Sequence, residues 1–338
     1  MPKKGDRFPS PMTVSSDLLW GGWSTFLVAA AVELDVFSSI ASGATTAKEI
    51  AAKANADEFA LRRMLDSLAA LKYLTRKGDR YSLSPQSAAF LVRGSELYME
   101  GIDQFAKSQM MGWFQLAQTV KSGKPLVPPG DEAGQATFFS ILVRCIFPLG
   151  FVAAKAAVAA ISPARRARIK RILDVGGGAA PWSIPFAQTI RGAHVTVLDL
   201  PPVIRITREY AARFGIGDRY DYLEGDLRQV DFGGGYDLIT LGHIIHGEGR
   251  DGGRRLLERS AEALGSRGLL LIAEFIPNND RTGPASAMMF GINMLLHTPN
   301  GDVFTMKDYR EWLKAAGFRA IRTINTPAAV SPLILAEK

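Results

Sequence analysis

Three aspartates close three successive apolar runs in the second half of this chain, and acids so placed can hold a nucleoside. Asp174 ends RILDV together with Val175, Asp199 ends HVTVLD twenty-five residues later, and Asp226 follows YDYLEG. A carboxylate at the tip of the second strand can accept both hydroxyls of a ribose, and one at the tip of the third can meet an adenine amino group. After Asp174 come Gly176, Gly177 and Gly178; glycines here let the backbone turn sharply and let a ligand lie against bare main chain. A dinucleotide fingerprint needs a third glycine, with a pyrophosphate resting on the helix N-terminus. Pro181 stands at that position, which argues against NAD. S-adenosylmethionine, a nucleoside without phosphate, tolerates the loss. The chain has four histidines, His194, His243, His246 and His297. His246, in LITLGHIIHGEG, is the candidate general base, because a neutral imidazole is available near neutral pH to take a phenolic proton. His194 begins a strand and reads as structural. No metal-ligand spacing is present, and none is expected.

The elements that must position these groups follow from the pattern. The runs RILDV, HVTVLDL, YDYLEG, YDLITLG and GLLLIAEFI alternate with helical stretches from Ile169 onward. This predicts an α/β fold with a mostly parallel sheet and helices on both faces, closed by a last pair near Arg319–Asn325 and Ala329–Glu337. Before residue 165 the pattern is helical and Ala-rich. Asp17 can cap a helix to Leu34, and Thr46 with Glu49 has capping-box spacing. DEFALRRMLDSLAALKYL puts Phe59, Met64, Leu65, Leu68, Leu71 and Leu74 on one helical face. TRKGDRYSLS turns as a hairpin at Gly78-Asp79. Three helices and a hairpin make a winged helix. The expected organisation is a disordered tail over 1–14, a winged-helix domain over 15–95, a helical linker over 96–165 and a nucleoside-binding domain over 166–338.

Composition narrows the function. The 338 residues are 47% hydrophobic and 22% charged, with a formal net charge of +7. The basic stretch Arg165–Arg171 reads as a solvated linker. The winged helix mixes Arg62, Arg63 and Lys72 with Asp57, Glu58 and Asp66, whereas a DNA-reading face should be one-sided; nucleic acid is not an expected partner. The apolar stretch from Phe138 to Ile161 is interrupted by Arg144, Pro148 and Lys155, so it reads as buried helices and not as a membrane span. Cys145, the lone cysteine, excludes an intrachain disulfide and fits the reducing cytoplasm.

The order LDVGGG, VLDLPPVI, EGDL, HIIHGEG and AEFIPNND resembles the small-molecule O-methyltransferases that carry a winged-helix dimerisation domain, from about residue 15 to the end. The resemblance implies a class I methyltransferase sheet, a homodimer, S-adenosylmethionine as methyl donor and no metal. It places Gly176 and Gly178 at the methionine part of the cofactor, Asp199 at the ribose and Asp226 with Leu227 at the adenine; Asp174, Leu200, Gly242 and His243 complete the expected cofactor shell. It makes His246 the base and Glu274 the acid that orients it. Where the family has Asp-Trp after the histidine, this chain has Gly247-Glu248. A family glycine falls at Ala180, and a further family acid at Val303, with Asp302 the neighbouring substitute. The implied acceptor is an apolar or aromatic small molecule, in a pocket drawn from Met110, Trp113, Phe114, Phe147, Met288, Met289, Met294 and His297. C- or N-methylation, or a non-methylating reaction, is the alternative on the same scaffold; an S-adenosylmethionine-responsive DNA-binding regulator is the third.

Overall fold

The structure, a computed structural model, describes residues 21–126 and 132–338. The expected tail over 1–14 and the proposed helix start at Asp17 lie outside the described residues. The chain divides into two compact units, residues 1–110 and 111–338.

In the first unit, helices Trp23–Glu33, Val36–Ala41, Ala47–Ala54 and Glu58–Ala70 lead into a hairpin of β1 (Leu74–Lys77) and β2 (Arg80–Leu83), followed by helix Pro85–Phe90. The local chemistry explains the starts. Thr46 accepts from the Glu49 backbone N–H while the Glu49 side chain reaches back to the Thr46 N–H, a complete capping box. Asp57 caps the next helix by accepting from Ala60 N–H. Phe37, Ile50, Leu61, Leu65, Leu68, Leu74 and Tyr81 form the core. The buried helical face is narrower than the pattern suggests. Phe59 is 63% and Leu71 47% exposed, and the helix stops at Ala70, so that Leu74 enters the core from β1. Phe59 instead lies under the Arg63 guanidinium, 3.8 Å from its ring centroid. Arg62 pairs with Glu58 and Arg76 with Asp66, so these cations are matched on their own surface.

The second unit is built on a seven-stranded sheet of order β5-β4-β3-β6-β7-β9-β8. Its strands are β3 (Arg171–Val175), β4 (His194–Asp199), β5 (Tyr220–Glu224), β6 (Tyr236–Gly242), β7 (Leu264–Ala273), β8 (Arg322–Ile324) and β9 (Leu333–Glu337). The first five in chain order pair in parallel; β9 joins β7 and β8 antiparallel. Strand order reverses between β4 and β6 around β3, and in open parallel sheets ligands bind beyond the strand C-termini at such a switch. Leu173, Val175, Ile239, Leu241, Leu270 and Ile272 form one buried cluster with helices Ile245–Ala263 and Met306–Ala315, and the alternate residues point to the other face.

The apolar stretch after residue 131 forms one helix, Glu132–Ala160, with Pro148 inside it, not separate helices. Its portion Thr137–Ala160 is long and apolar enough to cross a membrane by length and composition. In the structure the helix packs on helices Ile184–Thr189 and Pro201–Arg213. Phe147, expected in the acceptor pocket, belongs to that packing: it is buried against Phe151, Tyr210 and Phe214 at centroid distances of 5.3, 4.5 and 5.5 Å. Cys145 is buried beside it in sequence.

Candidate active site

The turn after β3 is shaped by left-handed residues: Gly176 has φ 62°, Gly178 φ 58° and Ala180 φ 60°. An L-residue pays about 1–2 kcal/mol for that region, so Ala180 carries the strain that a glycine would have avoided. Gly177 is needed for space, since a Cβ there would lie 2.5 Å from Val197 Cγ1. Asp174 sits beneath the turn, fully buried, accepting from Ser183 Oγ and Thr240 Oγ1, both at 2.6 Å. Both carboxylate oxygens are buried on hydroxyl donors, so Asp174, expected in the cofactor shell, supports the turn from beneath. Burial pushes its carboxyl up to about 7 despite those two hydrogen bonds.

Asp199 closes the other side of the turn. Its Oδ2 accepts from Gly178 N–H at 2.8 Å and its Oδ1 from Leu200 N–H at 2.7 Å. Leu200 thus fixes the Asp199 carboxylate through its backbone N–H. Burial raises the Asp199 carboxyl to about 6. A carboxylate has roughly four lone-pair positions, so two backbone donors leave room for the two hydroxyls of a ribose. Asp226, just past β5, is half-exposed and accepts from Arg228 N–H at 2.8 Å; Leu227 packs on the core cluster while its carbonyl accepts from Arg259. These residues fit an adenosine lying across the tips of β3, β4 and β5.

Sequence reasoning missed Trp182. Its indole lies on Gly242, where a Cβ would fall 2.0 Å from Cδ1. Gly242 is therefore glycine because the indole occupies its side-chain space. Nothing in the local pattern paired residues sixty positions apart.

His246 and Glu274 are in direct contact. The imidazole Nδ1 lies 2.6 Å from Glu274 Oε2, and the His246 backbone N–H donates to Oε1 at 3.2 Å. With Nδ1–H donating to the carboxylate, Nε2 carries the lone pair, the arrangement a general base needs. Glu274 is wholly buried; burial opposes its ionisation, and the charge and hydrogen bond of His246 overcome this and hold the carboxyl below its ordinary value. Asp302 does not substitute for the acid missing at Val303. Its carboxylate bonds Arg281 at 3.1 Å, and it is the Asp302 backbone N–H that donates to the His246 carbonyl at 3.1 Å. Glu248, in place of the family tryptophan, makes a two-pronged pair with Arg228 at 2.8 and 2.9 Å.

Aromatic rings surround the base. Phe290 meets the His246 ring edge-on at 4.8 Å and stacks on Phe275 at 3.7 Å. His243, left-handed at φ 58°, lies 5.3 Å from Phe275 and 5.9 Å from Trp182. Its Nδ1 is buried without a partner, and burial lowers its pKa to about 4, so it is neutral at physiological pH. One nitrogen or oxygen from each of His243, His246 and Glu274 falls within 4.8 Å of the others; the cluster was not foreseen as a metal site, and His246 Nδ1 is already matched to Glu274. Of the remaining pocket residues, Met288 is half-buried and Met294 buried in the helix Ala285–His297, whereas Met289 (53%) and Phe114 (75%) are exposed. Trp113 Nε1–H donates to Asn293 Oδ1 at 3.3 Å. Met110 falls in the first unit.

A switch-point parallel sheet, acids at three strand tips and a carboxylate-bound histidine define a class I methyltransferase. Two family models match the chain: an O-methyltransferase domain over residues 152–319 and an O-methyltransferase dimerisation domain over 16–93. The chain belongs to this O-methyltransferase family, and the cofactor anticipated from the strand tips, S-adenosylmethionine, is the family's methyl donor. It is 29% identical to the 3-hydroxy-5-methyl-1-naphthoate 3-O-methyltransferase of Streptomyces sahachiroi, over 92% of this chain and 91% of that one. It is 27% identical to the N,N-dimethyltransferase OxyT of Streptomyces rimosus, over 86% and 85%. Among solved structures, a putative O-methyltransferase from Nostoc punctiforme superposes with a TM-score of 0.82 at 28% identity, over 98% of this chain and all of that one.

Proposed function

We propose that this enzyme transfers a methyl group from S-adenosylmethionine to a hydroxyl of an aromatic or polyketide-like small molecule, and that it works as a homodimer in the cytoplasm. The observation that carries the reading is the His246–Glu274 pair, 2.6 Å apart, with Phe290 edge-on to the imidazole and Phe275 stacked on Phe290. The cofactor, when bound, supplies a methyl group on a positively charged sulfur, an already activated donor. Asp199 would hold the ribose, Asp226 and Leu227 the adenine, and the backbone at Gly176 and Gly178 the methionine part. His246 Nε2 takes the phenolic proton as the oxygen attacks, and buried Glu274 stabilises the resulting imidazolium and fixes its tautomer. The aromatic walls exclude water and orient a flat acceptor. The match to a dimerisation domain supports the homodimer.

Purified protein incubated with methyl-labelled S-adenosylmethionine and 2-naphthol tests the reading. The label is expected on the phenolic oxygen by mass spectrometry. Label on carbon, or on the amine of a parallel 2-naphthylamine reaction with none on 2-naphthol, would reassign the chemistry to one of the alternatives.

A further inference from the structure

Among the described residues, few buried side-chain polar atoms lack a partner, and two of them are imidazole nitrogens: His243 Nδ1, beside the base, and His297 Nε2. Helix Ala285–His297 relates the second to the reaction centre. Phe290, Asn293 and His297 are spaced i, i+3 and i+7 and so share one face. Phe290 touches the His246 ring. Seven residues of helix further on, about 10 Å at 1.5 Å per residue, stands His297. Between them Asn293 is fixed by Trp113.

His297 is itself held in place. Its ring stacks on Phe138 at 5.8 Å and 22°. Gly112 faces it without a side chain, where a Cβ would already lie 3.5 Å from His297 Cε1. A fixed, buried ring nitrogen with no partner is costly to the free protein, and a ligand group that pairs with it removes that cost. A single benzene ring with one substituent is shorter than the rise from Phe290 to His297, whereas two or three fused rings match it. The stacked Phe275 and Phe290 at the near end favour a flat molecule.

We propose that the acceptor is a planar molecule of at least two fused rings, that it carries a second hydrogen-bonding substituent at the end remote from the methylated hydroxyl, and that His297 reads that substituent. The assignment of the near end to His246 rests on the methyl-transfer reading; the recognition at His297 does not depend on turnover.

Calorimetric titration of the S-adenosylhomocysteine-loaded protein with 2-naphthol and with 2,6-dihydroxynaphthalene tests this, in wild type and His297→Phe. The wild type is expected to bind the diol roughly ten- to a hundredfold more tightly than the mono-ol, the value of pairing one otherwise unmatched buried group. His297→Phe keeps the ring stack, and should lose that preference while its affinity for 2-naphthol stays unchanged. Equal wild-type affinity for the two compounds, binding of neither, or a preference that survives in the variant would overturn the proposal. The labelled-methyl assay keeps the two readings apart. A His297-dependent preference without methyl transfer leaves this inference standing and removes the O-methylation reading; methyl transfer without the preference does the reverse.

Discussion

The two halves of the site treat their polar atoms in opposite ways. On the nucleoside side, every acid at the turn has protein partners: Asp174 is matched by Ser183 and Thr240, and Asp199 is anchored by the Gly178 and Leu200 N–H groups with acceptor positions to spare. Around His246 one pair is closed, His246 with Glu274, while the nitrogens His243 Nδ1, in the expected cofactor shell, and His297 Nε2, in the expected acceptor pocket, are left unmatched among aromatic rings. A self-satisfied turn keeps its shape whether or not a ligand is present, and so suits a cofactor common to every turnover. On the proposed reading, the unmatched His297 nitrogen leaves recognition to be completed by the acceptor.

The largest effect should come from the closed pair on the acceptor side. His246→Ala is expected to lower kcat by about 10²–10⁴ while calorimetry shows unchanged affinity for S-adenosylhomocysteine; near wild-type turnover would remove His246 from the mechanism. Asp199→Ala should do the converse. It breaks contacts to a charged acceptor worth roughly 1.5–3 kcal/mol each, so cofactor affinity should drop at least tenfold, with turnover at saturating cofactor much less affected. If both variants lose both properties equally, the division between the halves is wrong.

Gly242→Ala probes the seam between them. Its Cβ would enter the Trp182 indole, and overpacking of this kind typically costs about 1–3 kcal/mol. A lowered melting temperature is expected in thermal unfolding, and an unchanged one would mean that the indole moves freely.

The last expected effect is a pH dependence. Burial raises Asp174 to about 7, above its unfolded value near 3.8. The folded state therefore favours the protonated form. The stability from this group is full below about pH 4 and is lost as pH rises through about 7, the reverse of an ion-paired carboxylate. Asp174→Asn cannot ionise, so the melting temperature of the variant relative to wild type should climb between pH 5 and pH 8. A constant difference would place the Asp174 carboxyl in its ordinary range.

What was legible in the sequence was what local pattern controls. Alternating apolar runs and helices specify the parallel sheet, and glycine spacing with terminal acids marks the strand tips, because backbone conformation and strand ends are set by neighbours in the chain. The capping box at Thr46 and the hairpin at Gly78 are legible for the same reason. What escaped was side-chain pairing over long distances. Phe147 looked like pocket lining and is core, because its partners Tyr210 and Phe214 come from another helix. Trp182 on Gly242, the stack of Phe275 on Phe290 and the turning of Asp302 toward Arg281 are likewise products of tertiary contact. Phe59 and Leu71 were misassigned because periodicity gives the direction of a helix face and not the width that its neighbours cover.

The His246 peptide is tethered at both ends, its N–H to Glu274 after β7 and its carbonyl to the Asp302 N–H. Neither anchor belongs to the helix from Ala285 to His297. Apart from Phe290, whose ring meets the imidazole edge-on, that helix can be redrawn residue by residue, by natural drift or by a protein engineer, and His246 would keep both backbone anchors. On the proposed reading, selectivity in this scaffold is thereby an interchangeable part, mounted beside an engine that does not need retuning.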